Sequence, residues 1–139
     1  MKFFLDNCLP PQWAKALNAL CEPDGHSVQH LRDKFEPNTP DELWLGKLAA
    51  EGGWTIISAD KRIKKVPHER EVWRESGLTA FFLKGWNDLS LWEQSWRIVR
   101  WWPHILHVAE RPGATLGFLV PQNYSPTKLE KFFARRVAS

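Results

Sequence analysis

The segment GGWTIISADKRI, residues 52–63, decides the fold that this sequence predicts. Its apolar, partly β-branched run Trp54–Ser58 follows a glycine pair, which is typical of a buried β-strand. The strand ends close to Asp60, and the residues after Asp60 are mostly basic: Lys61, Arg62, Lys64 and Lys65. A carboxylate at the tip of a buried strand either opens a turn or belongs to a site for a metal ion and a phosphate. The rest of the chain helps to decide between these two interpretations.

Length and composition indicate one domain, which we place at residues 1–139. The chain is 43% hydrophobic and 25% charged, as ordinary soluble globular proteins are. Its formal net charge of +3 permits an anionic partner without requiring one. Two cysteines are too few for a disulfide framework, and no segment is typical of a signal peptide or a transmembrane helix. We therefore expect a cytoplasmic protein with reduced thiols and no membrane partner.

Apolar runs alternate with helical patterns along the chain. Strands are predicted at residues 2–5, 26–31, 54–58, 78–83 and 115–120. Helices are predicted at residues 12–20, 41–51 and 69–76, and from a capping box at Ser90 to about residue 108. Pro103 should kink or divide the last helix, and residues 126–137 form a basic amphipathic segment. This alternation favours an α/β fold, a three-layer α/β/α sandwich around a mainly parallel sheet.

The second helix has a well-marked start, Thr39-Pro40-Asp41-Glu42. Thr39 can cap this helix, Pro40 suits its first position, and Glu42 can complete a capping box. Asp41 lies four residues before Leu45, so it is expected above the helix face that packs on the sheet.

Three aspartates are therefore predicted at one edge of the sheet. Asp6 and Asp60 follow strands, and the helix that begins at Asp41 starts at the same edge, where open α/β sheets bind ligands. Clustered carboxylates repel one another unless a cation neutralises them, and oxygen ligands suit Mg²⁺ or Mn²⁺. We predict that Asp6, Asp41 and Asp60 hold such an ion, with Glu42 and Asn7 as further candidate ligands.

An ion at this edge can hold a phosphodiester, activate a water and stabilise the leaving oxygen. The basic residues Lys61, Arg62, Lys64 and Lys65 would then hold a nucleic-acid backbone beside the metal. Simpler roles stay open for the same residues. Asp6, Asn7 and Asp60 can be turn residues, Asp41 can complement the helix dipole, and Glu42 can serve only as a cap.

Three segments and a tryptophan-rich continuation carry a family resemblance. The segments are FFLDNCLPP (residues 3–11), TPDELWLGKLAAEGGW (39–54) and TIISADKRI (55–63), and the continuation is WRESGLTAFFLKGWNDLSLWEQSWRIVRWWPHI (73–105). Together they resemble the PIN-like nucleases, in particular the short PIN-like group associated with VapC-type toxins of bacterial toxin–antitoxin pairs. The resemblance covers most of the chain.

The resemblance implies an α/β/α fold in which Asp6, Asp41 and Asp60 bind Mg²⁺ or Mn²⁺ to cleave RNA. It also implies a cognate antitoxin as partner, and apolar surface left on the tryptophan-rich helix could dock that antitoxin or a second copy in a homodimer. Two features depart from the family. Fuller PIN domains carry another acid on an intervening helix, for which Asp33 and Glu42 are the candidates here. Related short members often have an aspartate two residues after Asp60, where this chain has Arg62.

The sequence thus favours a metal-dependent endoribonuclease, the toxin of a toxin–antitoxin pair. The alternative is a catalytically degenerate PIN-like module that binds RNA or a protein without cutting. Such a module would explain the missing fourth acid and the presence of Arg62. A metal-dependent phosphatase is a third hypothesis, although the sequence shows no separate nucleophile motif. Cys8 has no clear histidine partner for nucleophilic catalysis.

Overall fold

A computed structural model describes residues 1–135, and a six-stranded sheet lies at its centre. The strands are β1 (Lys2–Leu5), β2 (Ser27–His30), β3 (Trp54–Ser58), β4 (Thr79–Leu83), β5 (Thr115–Val120) and β6 (Glu130–Ala134). Their order across the sheet is β2-β1-β3-β4-β5-β6. Strands β1 to β5 pair in parallel, and β6 pairs antiparallel with β5. The predicted mainly parallel sheet is confirmed.

Helices cover both faces of this sheet. They are α1 (Pro11–Cys21), α2 (Asp41–Glu51), the short α3 (Arg62–Lys65), α4 (Pro67–Ser76) and α5 (Leu91–Glu110). Successive strand residues point to opposite faces, so Phe3 and Leu5 pack in one core with α1 and α5. Phe4 packs in the other core with α2 and α4. Two apolar cores on either side of one sheet make the three-layer α/β/α sandwich that the sequence predicted.

Two local predictions differ from the structure. Helix α5 continues through Pro103, so of the two predicted outcomes, a kink or a division, the division is wrong; Trp101 and Ile105, on either side of this proline, are fully buried. Thr39 does not cap α2, because Pro40 occupies the cap position and the Thr39 hydroxyl donates a 2.7 Å hydrogen bond to the Glu36 carbonyl.

The segment at 126–137 contains the edge strand β6, and its residues 136 and 137 lie outside the described part. No helix within residues 1–135 is long and apolar enough to cross a membrane.

The edge strand β6 packs over a glycine of β5. The ring of Phe133 is nearly buried and lies directly on Gly117, where a Cβ atom would overlap three ring atoms. The pairing register also shifts around Gly117. Gly117 is therefore required by close contact with an aromatic ring rather than by its backbone angles.

We expect Gly117→Ala to destabilise the fold by about 1–3 kcal/mol, because the added methyl group must displace the Phe133 ring. Urea unfolding followed by circular dichroism measures this change. Gly46→Ala is the matched control, since a Cβ at this exposed site in α2 meets nothing within 4 Å. It should raise stability by about 0.5–1 kcal/mol. A Gly117→Ala variant as stable as the wild type would contradict the packing of β6.

Candidate active site

The strand order reverses between β1 and β3, and this reversal creates a cleft. The chain passes from β1 to β2 on one side and then crosses to β3 on the other, which opens a crevice at the carboxyl ends of the two strands. Asp6 follows β1 directly, Asp60 lies two residues beyond β3, and α2 begins at Asp41. All three line one cleft of about 530 Å³. The structure thus places the three predicted aspartates around the same opening.

Asp6 is the most deeply placed of the three, with 6% of its surface exposed. Its Oδ2 accepts a 2.8 Å hydrogen bond from the hydroxyl of Ser58, a fully buried residue on the neighbouring strand. Its Oδ1 accepts the backbone N–H of Asn7 at 2.6 Å. The Ser58 oxygen also accepts the backbone N–H of Asp60 at 3.1 Å. Ser58 therefore joins the ends of β1 and β3 and fixes the orientation of the Asp6 carboxylate.

The charge of Asp6 is poorly compensated. Burial raises its pKa to about 6, repulsion from Asp41 and Asp60 adds to this rise, and the hydrogen bond from Ser58 only partly opposes it. A cation that enters the cleft would stabilise the charged form of this buried carboxyl group.

Asp41 shows a similar lack of partners. Its Oδ1 accepts a 3.1 Å hydrogen bond from the indole Nε1–H of Trp44, one helical turn further on. Its Oδ2 is buried and has no hydrogen-bond partner among the described residues. Burial raises the pKa of Asp41, and repulsion from Asp60 adds to it. The charge of Asp41 is therefore only partly compensated, because this buried oxygen accepts no hydrogen bond from the described residues.

Asp60 is the exception, because Arg62 neutralises it. The Arg62 guanidinium holds the carboxylate through Nη2 at 2.7 Å and through Nε at 3.1 Å to both oxygens, and the Arg62 backbone N–H donates to Oδ1 at 2.9 Å. Burial alone would raise the pKa of Asp60, but these contacts with Arg62 outweigh it and lower the pKa. In this structure Arg62 contacts the acids of the cleft, and its predicted contact with an RNA backbone stays a prediction.

Arg62 also reaches two further carboxylates. Its Nη2 lies 3.7 Å from Asp41 Oδ2, and its Nη1 lies 4.0 Å from Glu69 Oε1. The guanidinium therefore stands where a bound cation would meet Asp41 and Asp60. Since 60% of its side chain is exposed, it can leave this position without opening the core.

Glu69 is the acid that the sequence interpretation missed. It lies near the start of α4 and lines the same cleft. Asp33, one proposed substitute, instead accepts the His30 backbone N–H at 3.0 Å and is absent from the cleft lining. The rule applied to Asp41, an acid in the first turn of a helix that follows a strand, also selects Glu69.

The other candidate ligands have separate roles. Glu42 lies at the cleft rim, 3.7 Å from His68, and its side chain is 68% exposed. The Asn7 side chain donates to the Pro37 carbonyl at 3.1 Å and accepts from Arg32 Nε at 2.9 Å. Asn7 thus anchors the loop beyond β2, while its backbone supports Asp6.

Cys8 lines the cleft as well. Its Sγ lies 3.8 Å from Ser58 Oγ and accepts the Ala59 backbone N–H at 3.4 Å. Burial of the sulfur, aided by the Asp6 charge, raises the pKa of the Cys8 thiol to about 12. This raised pKa favours the protonated thiol at neutral pH, which is a poor nucleophile.

The fit to a metal ion can be judged from these donors. Within residues 1–135, no three acidic, histidine or cysteine side chains are already arranged to hold a metal ion. Arg62 and the hydrogen bonds from Ser58 and Trp44 hold the carboxylates in their present directions. The donor chemistry nevertheless fits, because the cleft offers carboxylate oxygens, and one buried oxygen of Asp41 lacks a partner. Asp6, Asp41 and Asp60 are the residues that would hold a hard divalent ion, with Glu69 beside them.

Replacing Asp6 with asparagine should stabilise the protein at neutral pH in the presence of EDTA. The raised pKa of Asp6 means that its contribution to stability is full below about pH 4 and is lost as pH rises through about 6. The full loss is at most about 3 kcal/mol. We expect Asp6→Asn to melt above the wild type at pH 7.5 and to lose this advantage by pH 4. The exposed Asp24→Asn variant should match the wild type at both pH values.

Removing the guanidinium should favour metal binding. Arg62→Gln leaves Asp60 and Asp41 without their cation, so the free energy of unfolding in EDTA should fall by about 1 kcal/mol. The melting temperature should fall with it. Addition of Mn²⁺ should then raise the melting temperature more than in the wild type. Lys64→Gln, which removes the same charge from α3 outside the cleft, is the control. A smaller Mn²⁺ effect in Arg62→Gln than in Lys64→Gln would show that Arg62 assists the metal rather than competing with it.

Comparison with known proteins gives one match. The family described as PIN like domain matches residues 1–85. That stretch contains β1 to β4 and α1 to α4, and with them Asp6, Asp41, Asp60 and Glu69. Neither the curated proteins nor the solved structures include a match to this chain. Since the matched stretch is more than half of the 139 residues, the chain belongs to the PIN-like domain family.

Proposed function

We propose that this protein is a metal-dependent endoribonuclease whose acidic cleft cuts phosphodiester bonds of RNA. The observation that carries the proposal is the undercompensated charge at the reversal point of the sheet. Burial raises the pKa of both Asp6 and Asp41, and Asp41 has a buried oxygen without a hydrogen-bond partner. Such a cluster is costly to fold, and a bound cation would offset part of that cost. Membership in a family of nuclease-like domains agrees with this role.

The chemistry divides between a bound ion and the chain. A divalent ion of the Mg²⁺ or Mn²⁺ type, when bound, supplies the charge that holds the phosphate and makes a water more acidic. Asp6, Asp41 and Asp60 would bind and orient this ion. Ser58 and Trp44 fix the carboxylates of Asp6 and Asp41. In the hydrolysis, water adds to phosphorus, the bond to one ester oxygen breaks, and that oxygen takes up a proton.

Arg62 has a second role in this proposal. Once released from Asp60, its planar guanidinium can donate two parallel hydrogen bonds to a phosphate. Its position at the mouth of the cleft, 60% exposed, suits it to hold the substrate beside the acids. The prediction that Arg62 contacts the RNA backbone is thereby kept, with displacement from Asp60 as its condition.

The proposal extends to a toxin of a toxin–antitoxin pair, for which the support is the resemblance of the tryptophan-rich half. Helix α5 presents Trp92 at 81%, Trp96 at 54% and Val99 at 46% exposure, and such apolar surface suits a protein partner. Trp101 lies in the core instead, so it is excluded from any docking surface. The antitoxin and the homodimer both stay predictions.

The second candidate function is a degenerate PIN-like module that binds without cutting. The observation that favours it is the Arg62–Asp60 pair, which already neutralises one of the three acids. In this case the guanidinium replaces the metal as a permanent structural cation.

RNA cleavage by the purified protein separates the two functions. We expect a fluorophore-labelled RNA panel to be cut with Mn²⁺ or Mg²⁺ and not with EDTA. Asp6→Asn, Asp41→Asn and Asp60→Asn should each lower the rate at least about 100-fold, because a metal ligand supports several kcal/mol of transition-state stabilisation.

Asp24→Asn, an exposed aspartate outside the cleft, is the matched control and should keep full activity. Melting curves must show every variant folded. Folded wild-type protein that cuts none of the panel, or an Asp6→Asn variant that cuts as fast as the wild type, would overturn the proposal in favour of the binding module.

A further inference from the structure

A second cavity lies on the other side of α3 from the acidic cleft. Its volume is about 280 Å³, near the lower end of the range of about 300–1,000 Å³ for ligand pockets. Asp60 lines both cavities, so they are immediate neighbours at the carboxyl edge of the sheet. A ligand that reaches the acidic cleft can therefore extend into this cavity.

The interior of the second cavity is apolar. Ile63, Phe82 and Leu119 form part of its lining and are 7% exposed or less. Phe132 of β6 adds a half-buried aromatic ring, which packs edge-on against Phe82 at 5.9 Å. The cavity thus offers an apolar, partly aromatic surface of the kind that binds a nucleobase.

The rim of the same cavity is basic. Four exposed lysines surround it, Lys61, Lys64, Lys65 and Lys84. Lys84 lies 3.3 Å from Glu130, whereas the other three form no ion pair with any described residue. An apolar interior with three lysines at its rim that are unpaired within residues 1–135 matches a ligand with a flat apolar part and an anionic backbone.

We infer that this cavity is a base-binding subsite, which takes one unpaired base of a single-stranded nucleic acid while the lysines hold the adjoining phosphates. The inference rests on the proposed nuclease function, because the neighbouring phosphodiester would lie in the acidic cleft. A base inside a duplex is paired and stacked, so only an unpaired base can fill the cavity. Aromatic and apolar contacts to a base are sequence-tolerant, so we assign no base preference to the subsite.

Another basic cavity near the cleft fits this role less well. It is lined by Arg32, Lys34, Phe35 and Lys47, but also by Glu36. Lys34 is paired with Glu51 at 3.0 Å, and Arg32 donates to Asn7. Its cations are therefore partly neutralised. Phe35 has Lys47 5.9 Å above its ring, as Phe132 has Arg70 4.7 Å above its ring. This similarity in residue types makes Phe35 a matched control for Phe132.

Binding is tested without metal, so that no cleavage interferes. Fluorescence anisotropy in EDTA measures the affinity of the full-length protein for a labelled single-stranded RNA hexamer of mixed sequence. The comparison ligand is a ribose-phosphate strand of the same length and charge that carries no bases. We expect the hexamer to bind at least about fivefold more tightly, as the stacking contribution of one base predicts.

Two kinds of variant separate base contacts from charge contacts. Phe132→Leu keeps an apolar side chain in β6 and should weaken hexamer binding about fivefold while leaving the base-free strand unaffected. Lys64→Gln combined with Lys65→Gln should weaken both strands alike, since these lysines hold phosphates. Phe35→Leu should change neither, and melting temperatures show whether each variant is folded.

Several outcomes would overturn the inference. They are equal affinity of the wild type for the two strands, an equal loss for both strands in Phe132→Leu, and a loss in Phe35→Leu as large as in Phe132→Leu. Absence of RNA binding altogether would also overturn it. Failure of the nuclease proposal is distinguishable, because a protein that binds bases through Phe132 but cuts nothing keeps the subsite and loses only the catalysis.

Discussion

The contact between Arg62 and Asp60 is the interaction on which the cleft depends. Three aspartates and Glu69 line a small opening that burial makes unfavourable for charge. Burial is the main cause of the raised pKa of Asp6 and Asp41, and repulsion between the carboxylates adds to it because it is stronger next to a low-dielectric core than in water. The guanidinium removes the charge of Asp60 and faces Asp41 and Glu69. With this tethered cation, the chain can fold its acids together without any ion from solution.

The same contact sets the condition for function. A cation that binds Asp60 and Asp41 must take the place that Arg62 occupies, so the two cannot be satisfied by the same oxygens at once. The side chain is attached by an exposed, flexible stem, and its departure breaks no core packing. In the proposed function, a metal ion would therefore exchange one counter-ion for another and would free the Arg62 guanidinium to bind a phosphate beside the acids. Through this one residue, the stability of the protein without metal is coupled to the proposed binding of a metal ion.

Sequence patterns predicted the parts of the site that depend on local structure and chain order. Asp6 and Asp60 could be placed because each follows a short apolar run, and Asp41 because a helix start is visible around it. The parallel sheet then brought them to one edge by topology alone. Glu69 was missed although the helix predicted at residues 69–76 begins with it, because the basic segment after Asp60 separates that helix from β3. The contacts of Arg62 could not be predicted, because the rotamer of a long side chain depends on contacts that form only in the folded chain.

The short helix α3 explains how one small stretch can serve two unlike cavities. Four residues make one turn, so successive side chains point in different directions around it. Arg62, at its first position, turns to the acids, whereas Ile63 is buried against the second core and Lys64 and Lys65 face the apolar cavity. This one helical turn therefore separates the acidic cleft from the cavity with the basic rim. In the proposed function, a strand of nucleic acid uses both regions, because the phosphate to be cut would meet a cation among the acids and the neighbouring phosphates would meet the lysines directly. A single helical turn keeps the two regions within the reach of adjacent nucleotides.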